Sequence, residues 1–121
     1  MIHPIALAVD VLAVLAALPS AERARRGCGP REAVARMRER GSACARRDQR
    51  GRTRLRRLIR TLDRFLVSNC YRQVLLETAV DAGAAAESLM LGFRRTSRPG
   101  SGHAWFESEV HRADYDIVVS V

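Results

Sequence analysis

The sequence contains no lysine; its 21 basic residues are all arginine. It is also poor in aromatics, with one Trp, two Tyr and three Phe. The rings that single-stranded nucleic acid stacks on are therefore not interspersed among the basic residues. Three cysteines, Cys28, Cys44 and Cys70, cannot close into a set of disulfides. No CxxC or CxxH pair occurs, which excludes a structural zinc site of the usual spacing. The first apolar stretch, Ile5 to Leu18, is about 14 residues long and carries Asp10, so it is short for a bilayer span. No Arg or Lys precedes it, so the basic start of a signal peptide is missing; the alternative is a signal peptide cut near Ala17 to Ala21. Few cysteines and no span together predict a reduced, cytoplasmic protein without a membrane partner.

At 121 residues the chain is one small domain, and 47% hydrophobic residues suffice for a modest core. The net charge of +8 favours an acidic partner or surface. The charge is unevenly placed. Sixteen of the arginines fall between residues 23 and 64, whereas residues 70 to 121 hold five Arg and seven acids. Residues 1–66 thus read as a basic helical region and 67–121 as a second, nearly neutral part of the same domain. Abundant Arg and Ala with no Lys is also the mark of a GC-rich coding bias, so the arginine count says less about partners than it suggests. A basic helical nucleic-acid-binding protein is the alternative reading of this half. Against it, the arginines are interleaved with acids and form no known recognition motif.

Periodicity predicts helices as far as about residue 83. Leu18-Pro-Ser-Ala-Glu22 reads as a helix end followed by a new start, with Ser20 as the cap. Pro30 suits the first turn of a further helix. Leu55, Leu58, Ile59, Leu62, Phe65 and Leu66 recur at helical spacing as one apolar stripe. Ser68 or Asn69 then caps a fresh helix that Gly83 closes. After Gly83 the texture changes. Ser88 to Phe93, His103 to Ser108 and Tyr115 to Val121 read as strands. The expected class is α+β, with N-terminal helices and a cysteine-headed helix packed on a small antiparallel sheet.

That order gives Cys70 a chemical interest. At a helix start, a thiol meets unpaired N–H groups and the positive end of the helix dipole, which favour the thiolate. His103, at the start of a strand after a Gly-rich loop, is a candidate base for it. Asp114 or Asp116, at the next strand, is a candidate for holding the other ring nitrogen. Trp105 reads chiefly as packing beside such a site. Glu107 reads equally as a solvated strand residue or a brace for a basic group. Arg72 reads chiefly as cover for its helix. Cys28, Cys44, His3 and His111 receive no role.

Asn69-Cys-Tyr-Arg-Gln-Val-Leu-Leu-Glu77, Leu89-Met-Leu-Gly-Phe-Arg94 and Gly102-His-Ala-Trp-Phe-Glu107, in this order, resemble the transglutaminase-like cysteine protease core. More narrowly they resemble the leader peptidase of lasso peptide biosynthesis, the second half of the split B protein. The matching positions are Cys70 and Arg72, Leu91 and Gly92, then His103, Ala104, Trp105 and Glu107. Leu15 to Ser20 also resembles that family's entry segment. Tyr71 and Gln73 depart from the pattern, and the acid needs a gap in either alignment. Asp114 is favoured because it precedes the last apolar run, while Asp116 lies within it. The resemblance implies a papain-like core and a cysteine peptidase that removes the leader from a ribosomally made precursor. It further implies Cys70 as nucleophile, His103 as base and Asp114 as orienting acid; Arg72 and Trp105, read as residues, are the candidate substrate contacts. It implies no metal or other cofactor, and as partners the precursor, a separate leader-recognition protein and the lasso cyclase. An inactive relative that only binds the precursor is a further alternative.

Overall fold

The computed structural model describes residues 4–93, 102–109 and 115–121. Their order is α1 (Pro4–Gly27), α2 (Pro30–Ser42), α3 (Gln49–Asp63), a 3-10 turn (Arg64–Leu66), α4 (Cys70–Val80), α5 (Ala82–Ala85), β1 (Leu89–Phe93), β2 (His103–Phe106) and β3 (Ile117–Ser120). The molecule is α+β, and the strands form one antiparallel sheet in the order β2-β1-β3.

Helix α4 is the centre of the packing. Val74, Leu75, Leu76, Thr78, Ala79 and Val80 are all buried, so the helix is enclosed on every side rather than amphipathic. α1, α2, α3, α5 and β2 surround it. The approach of α2 is close enough to require glycine. A Cβ on Gly41 would lie 1.8 Å from the carbonyl oxygen of Thr78. The α3 stripe is buried at Leu55 and Ile59, but Phe65 and Leu66 beyond it are exposed. The stripe stops there because the helix tightens into the 3-10 turn and the chain changes direction.

Two helix boundaries differ from the sequence expectation. The chain does not break at Pro19. α1 runs straight through it, and Ser20 caps nothing. Proline withdraws one N–H from the ladder and crowds the preceding turn. Arg40 of α2 braces the same stretch, donating to the Ala16 carbonyl and the Ser20 hydroxyl, both at 3.1 Å. Burial of Ala17, Ala21 and Ala24 in one row holds the two halves in line. The resulting 24-residue helix is long and apolar enough to cross a membrane by length and composition. Ile5, Val9, Leu12 and Leu15 lie exposed on its outer side. The second difference concerns Gly83, which does not close α4. α4 ends at Val80, and Gly83 lies inside α5. Asp81 decides this. Its fully buried carboxylate accepts from the N–H groups of Gly83 and Ala84 as the α5 cap, and from that of Arg47.

Asp10 is buried in apolar α1 because Arg47 reaches it from the α2–α3 connection at 2.7 Å, with Arg54 at 3.7 Å. Glu77 of α4 is likewise buried between Arg52 and Arg56 of α3, each at 2.9 Å. In the sheet, Leu91 faces Ala104 and Leu89 faces Phe106. These four are buried against the helices. Gly92 faces His103 and Met90 faces Trp105 on the opposite side.

Candidate active site

The site is built from the segment that leads into α4. Asp63, the last residue of α3, is 1% exposed and holds this segment through both carboxylate oxygens. Oδ2 accepts from the Asn69 N–H at 2.7 Å and from the Gln73 side chain at 2.9 Å. Oδ1 accepts from Arg72 at 2.7 Å. Burial alone would push Asp63 up, but the bonds from Arg72, Asn69 and Gln73 outweigh it and hold the carboxyl below its ordinary range. Val67 turns the chain with φ 63°, a left-handed conformation that a β-branched residue rarely adopts. Asn69 then caps α4, its side chain accepting from the Arg72 N–H at 2.9 Å. Cys70 is therefore the first residue of the helix, as its spacing predicts. The Arg72 N–H is taken by that cap, which leaves those of Cys70 and Tyr71 as the first-turn donors without a carbonyl partner in the helix.

Cys70 faces the end of the sheet. Its Sγ lies 3.8 Å from the carbonyl oxygen of Gly102, the residue before β2. His103, the first residue of β2, is next in the chain. Cys70 and His103 both line one cleft of about 400 Å³, together with Asn69, Tyr71, Phe93 and Gly102. They also share a small recess of about 60 Å³ beside Gln73 and Arg60. His103 borders the cleft because it opens its strand. Further along β2, Trp105 turns to the sheet face away from α4.

The His103 ring is part of an aromatic stack on that outer face. It lies 5.8 Å from the Trp105 ring and 6.3 Å from the Tyr115 ring, with planes within about 20° of parallel. Trp105 and Tyr115 are 5.4 Å apart. The stack needs glycine at position 92, since a Cβ there would lie 2.7 Å from the Tyr115 ring and 2.8 Å from Trp105. The rings hold the His103 side chain from one side, which restricts its rotamers.

The remaining residues with expected roles fall as follows. Arg72 is 5% exposed and does not line the cleft. Its guanidinium is committed to Glu22, Asp63 and the Val67 carbonyl. The expected substrate contact from Arg72 thus gives way to a structural one, because its donors point back into the helices. Trp105 is also absent from the cleft lining and supports His103 instead. Glu107 is exposed in the turn after β2, its N–H donating to the Ser88 carbonyl. Asp116 is exposed and immediately precedes β3, which begins at Ile117 rather than at Tyr115. Because Ile117 pairs with Phe93 and His103 with Gly92, Asp116 and His103 lie at the same end of the sheet. Asp114, His3 and His111 lie outside the described residues. Cys44 is exposed and Cys28 half-buried, and neither lines the cleft.

Asp63 is the residue that sequence reasoning missed. A signal was present, for Asp63 continues the i, i+4 row of Leu55 and Ile59, and an acid in a buried row calls for a partner. Among the described residues, no group of three His, Cys, Asp or Glu side chains could hold a metal ion. No family model, curated protein or solved structure matches this chain.

Proposed function

We propose that the protein is a cysteine peptidase with a transglutaminase-like core that removes the leader from a ribosomally made lasso precursor peptide. The observation that carries the reading is that Cys70, at the start of α4, and His103, at the start of β2, line the same cleft. Nucleophile and base must share one cleft for acyl transfer.

In this reading His103 takes the Cys70 proton as Sγ attacks the scissile carbonyl. The tetrahedral oxyanion is met by first-turn N–H groups, that of Cys70 among them. The carbon–nitrogen bond then breaks, and His103 returns the proton to the leaving amine. A thioester joins the leader to Cys70. Water, deprotonated by His103, adds to the thioester and releases the leader acid, and the proton goes back to the thiolate. Asp114 orients His103, with Asp116 as the other candidate. A separate leader-recognition protein and the cyclase that uses the freed amine are the partners this reading implies.

The test is cleavage of the cognate precursor, with its leader-recognition protein present, followed by mass spectrometry. Cys70→Ala is expected to abolish cleavage and His103→Ala to reduce it at least a thousandfold. Cys28→Ala and Cys44→Ala are expected to leave it unchanged. Full cleavage by Cys70→Ala would end the reading. Asp114→Asn and Asp116→Asn, compared side by side, identify the acid as the one whose change slows cleavage.

A further inference from the structure

A second depression, of about 510 Å³, lies between the start of α2 and the sheet. Pro30, Leu91, Phe93, Val119 and Val121 make its apolar walls. Pro30, Leu91 and Phe93 also line the cleft at Cys70, so the two depressions adjoin along these three residues. The junction is close to the thiol. A Cβ on Gly102 would touch the Phe93 ring at 3.0 Å, and the Gly102 carbonyl is the group that Cys70 Sγ approaches.

The outer wall is unusual for a strand of this kind. β3 pairs only with β1 among the described strands, and is therefore an edge. Edge strands are commonly protected by charges or proline. Here Val119, which lines the trough, is 39% exposed, and its strand neighbours Ile117 and Val118 are 46% and 48% exposed. An apolar trough of this kind, opening from a catalytic cleft, matches a peptide chain lying extended across it. Such a chain rises by about 3.3 Å per residue and alternates its side chains between two faces, so one of the two residues next to the scissile bond turns toward the trough.

We propose that this trough receives an aliphatic side chain of the peptide whose scissile carbonyl lies at Cys70, and so makes the enzyme select aliphatic residues near the cleavage point. The proposal rests on the peptidase reading and adds the substrate class to it.

The experiment uses the full chain and two peptidyl acyloxymethyl ketones, one carrying Leu-Leu and one carrying Gly-Gly next to the reactive ketone. In each, Cys70 Sγ displaces the carboxylate leaving group and forms a thioether. The readout is the ratio of the two labelling rates at Cys70, located by peptide mass mapping. A ratio near ten or above is expected for the unaltered protein, the size of effect that burying one aliphatic side chain gives. Val119→Glu, which places a carboxylate in the trough, is expected to bring the ratio to about one. If Val119→Glu does not fold, the isosteric Val119→Thr serves, with an expected drop of at least threefold.

A ratio near one in the unaltered protein would overturn the proposal and leave the peptidase reading standing. A high ratio that both variants preserve would also overturn it, placing the selectivity elsewhere. No labelling of Cys70 above that of Cys44 would overturn both. A dimer in solution that Val119→Glu dissociates, with a ratio near one, would assign the trough to a second copy and overturn the proposal.

Discussion

At the scale of single residues, the entrance to α4 combines strain with over-determination. Val67 is held at φ 63° while its side chain is 85% exposed, so it gains little from burial. A β-branched residue in this region costs about 1–3 kcal/mol. What maintains it is the surrounding network, in which Arg72 donates to the Val67 carbonyl and Asp63 fixes Asn69. Glycine is at ease at positive φ but gives the unfolded chain more freedom, at a cost of about 0.5–1 kcal/mol. Val67→Gly is therefore expected to be neutral or to stabilise by up to about 1 kcal/mol. Thermal unfolding followed by circular dichroism measures this. A fall in Tm of several degrees would mean that Val67 contributes a contact the exposed side chain does not suggest.

Among the elements, α4 and its neighbours depend on close approach more than on large side chains. Ala17, Ala21 and Ala24 of α1 and Ala33 of α2 are buried with almost no exposure. Gly41 is the extreme case, since a methyl group there would overlap the backbone of α4 at Thr78. A backbone carbonyl cannot swing aside as a side chain can, so the helices would have to separate. Gly41→Ala is expected to destabilise by about 3 kcal/mol or more, seen as a drop in Tm of more than about 10 °C. Because α4 carries Cys70, the same change is expected to disturb the cleft. A Tm within about 2 °C of the parent would show that α2 can slide along α4 without loss.

Over the whole molecule, the arginines acquire a meaning that their number alone lacks. Arg47, Arg52, Arg54 and Arg56 turn inward to Asp10, Glu77, Asp81 and Glu87. Arg25 and Arg72 share Glu22, and Arg72 also holds Asp63. Much of the basic half is thus spent within the fold, which weakens the case for a nucleic-acid surface. It also makes the fold sensitive to acid. The Arg25 hydrogen bond, aided by Arg72 against the opposing effect of burial, lowers the Glu22 carboxyl to about 2. Asp63 and Glu87 are lowered too, since hydrogen bonds and arginine charges outweigh their burial. A carboxyl depressed in the folded state contributes stability that is complete above its unfolded pKa and is lost as pH falls through its folded pKa. Stability is therefore expected to be flat above about pH 5 and to fall between about pH 4.5 and 2. Glu22→Gln is expected to remove about 1–3 kcal/mol at pH 7 and to make that acid limb shallower. Urea unfolding across this pH range measures both. An unchanged acid limb in the variant would assign the loss to the other carboxylates.

The helices-then-strands order, a cap at Ser68 or Asn69 before Cys70, Pro30 in the first turn of α2 and the three strands were all legible in the sequence. Each depends on contacts between residues a few positions apart, or on a period of two or 3.6, which the order of residues carries by itself. Continuity of α1 through Pro19 was not legible, because the burial of Ala17, Ala21 and Ala24 and the brace from Arg40 of α2 come from contacts across space. Nor was the division of α4 from α5, which follows from the burial of Asp81 beneath Arg47 and Arg52. The roles of Arg72 and Asp63 had the same limit. A charged residue's partner is set by which helices meet, and sequence separation says nothing of that. Residue types and their local rhythm thus determined the elements and put Cys70 at a helix start. Tertiary packing alone decided that His103 shares its cleft, that Arg72 faces away from it, and that an aliphatic trough adjoins it.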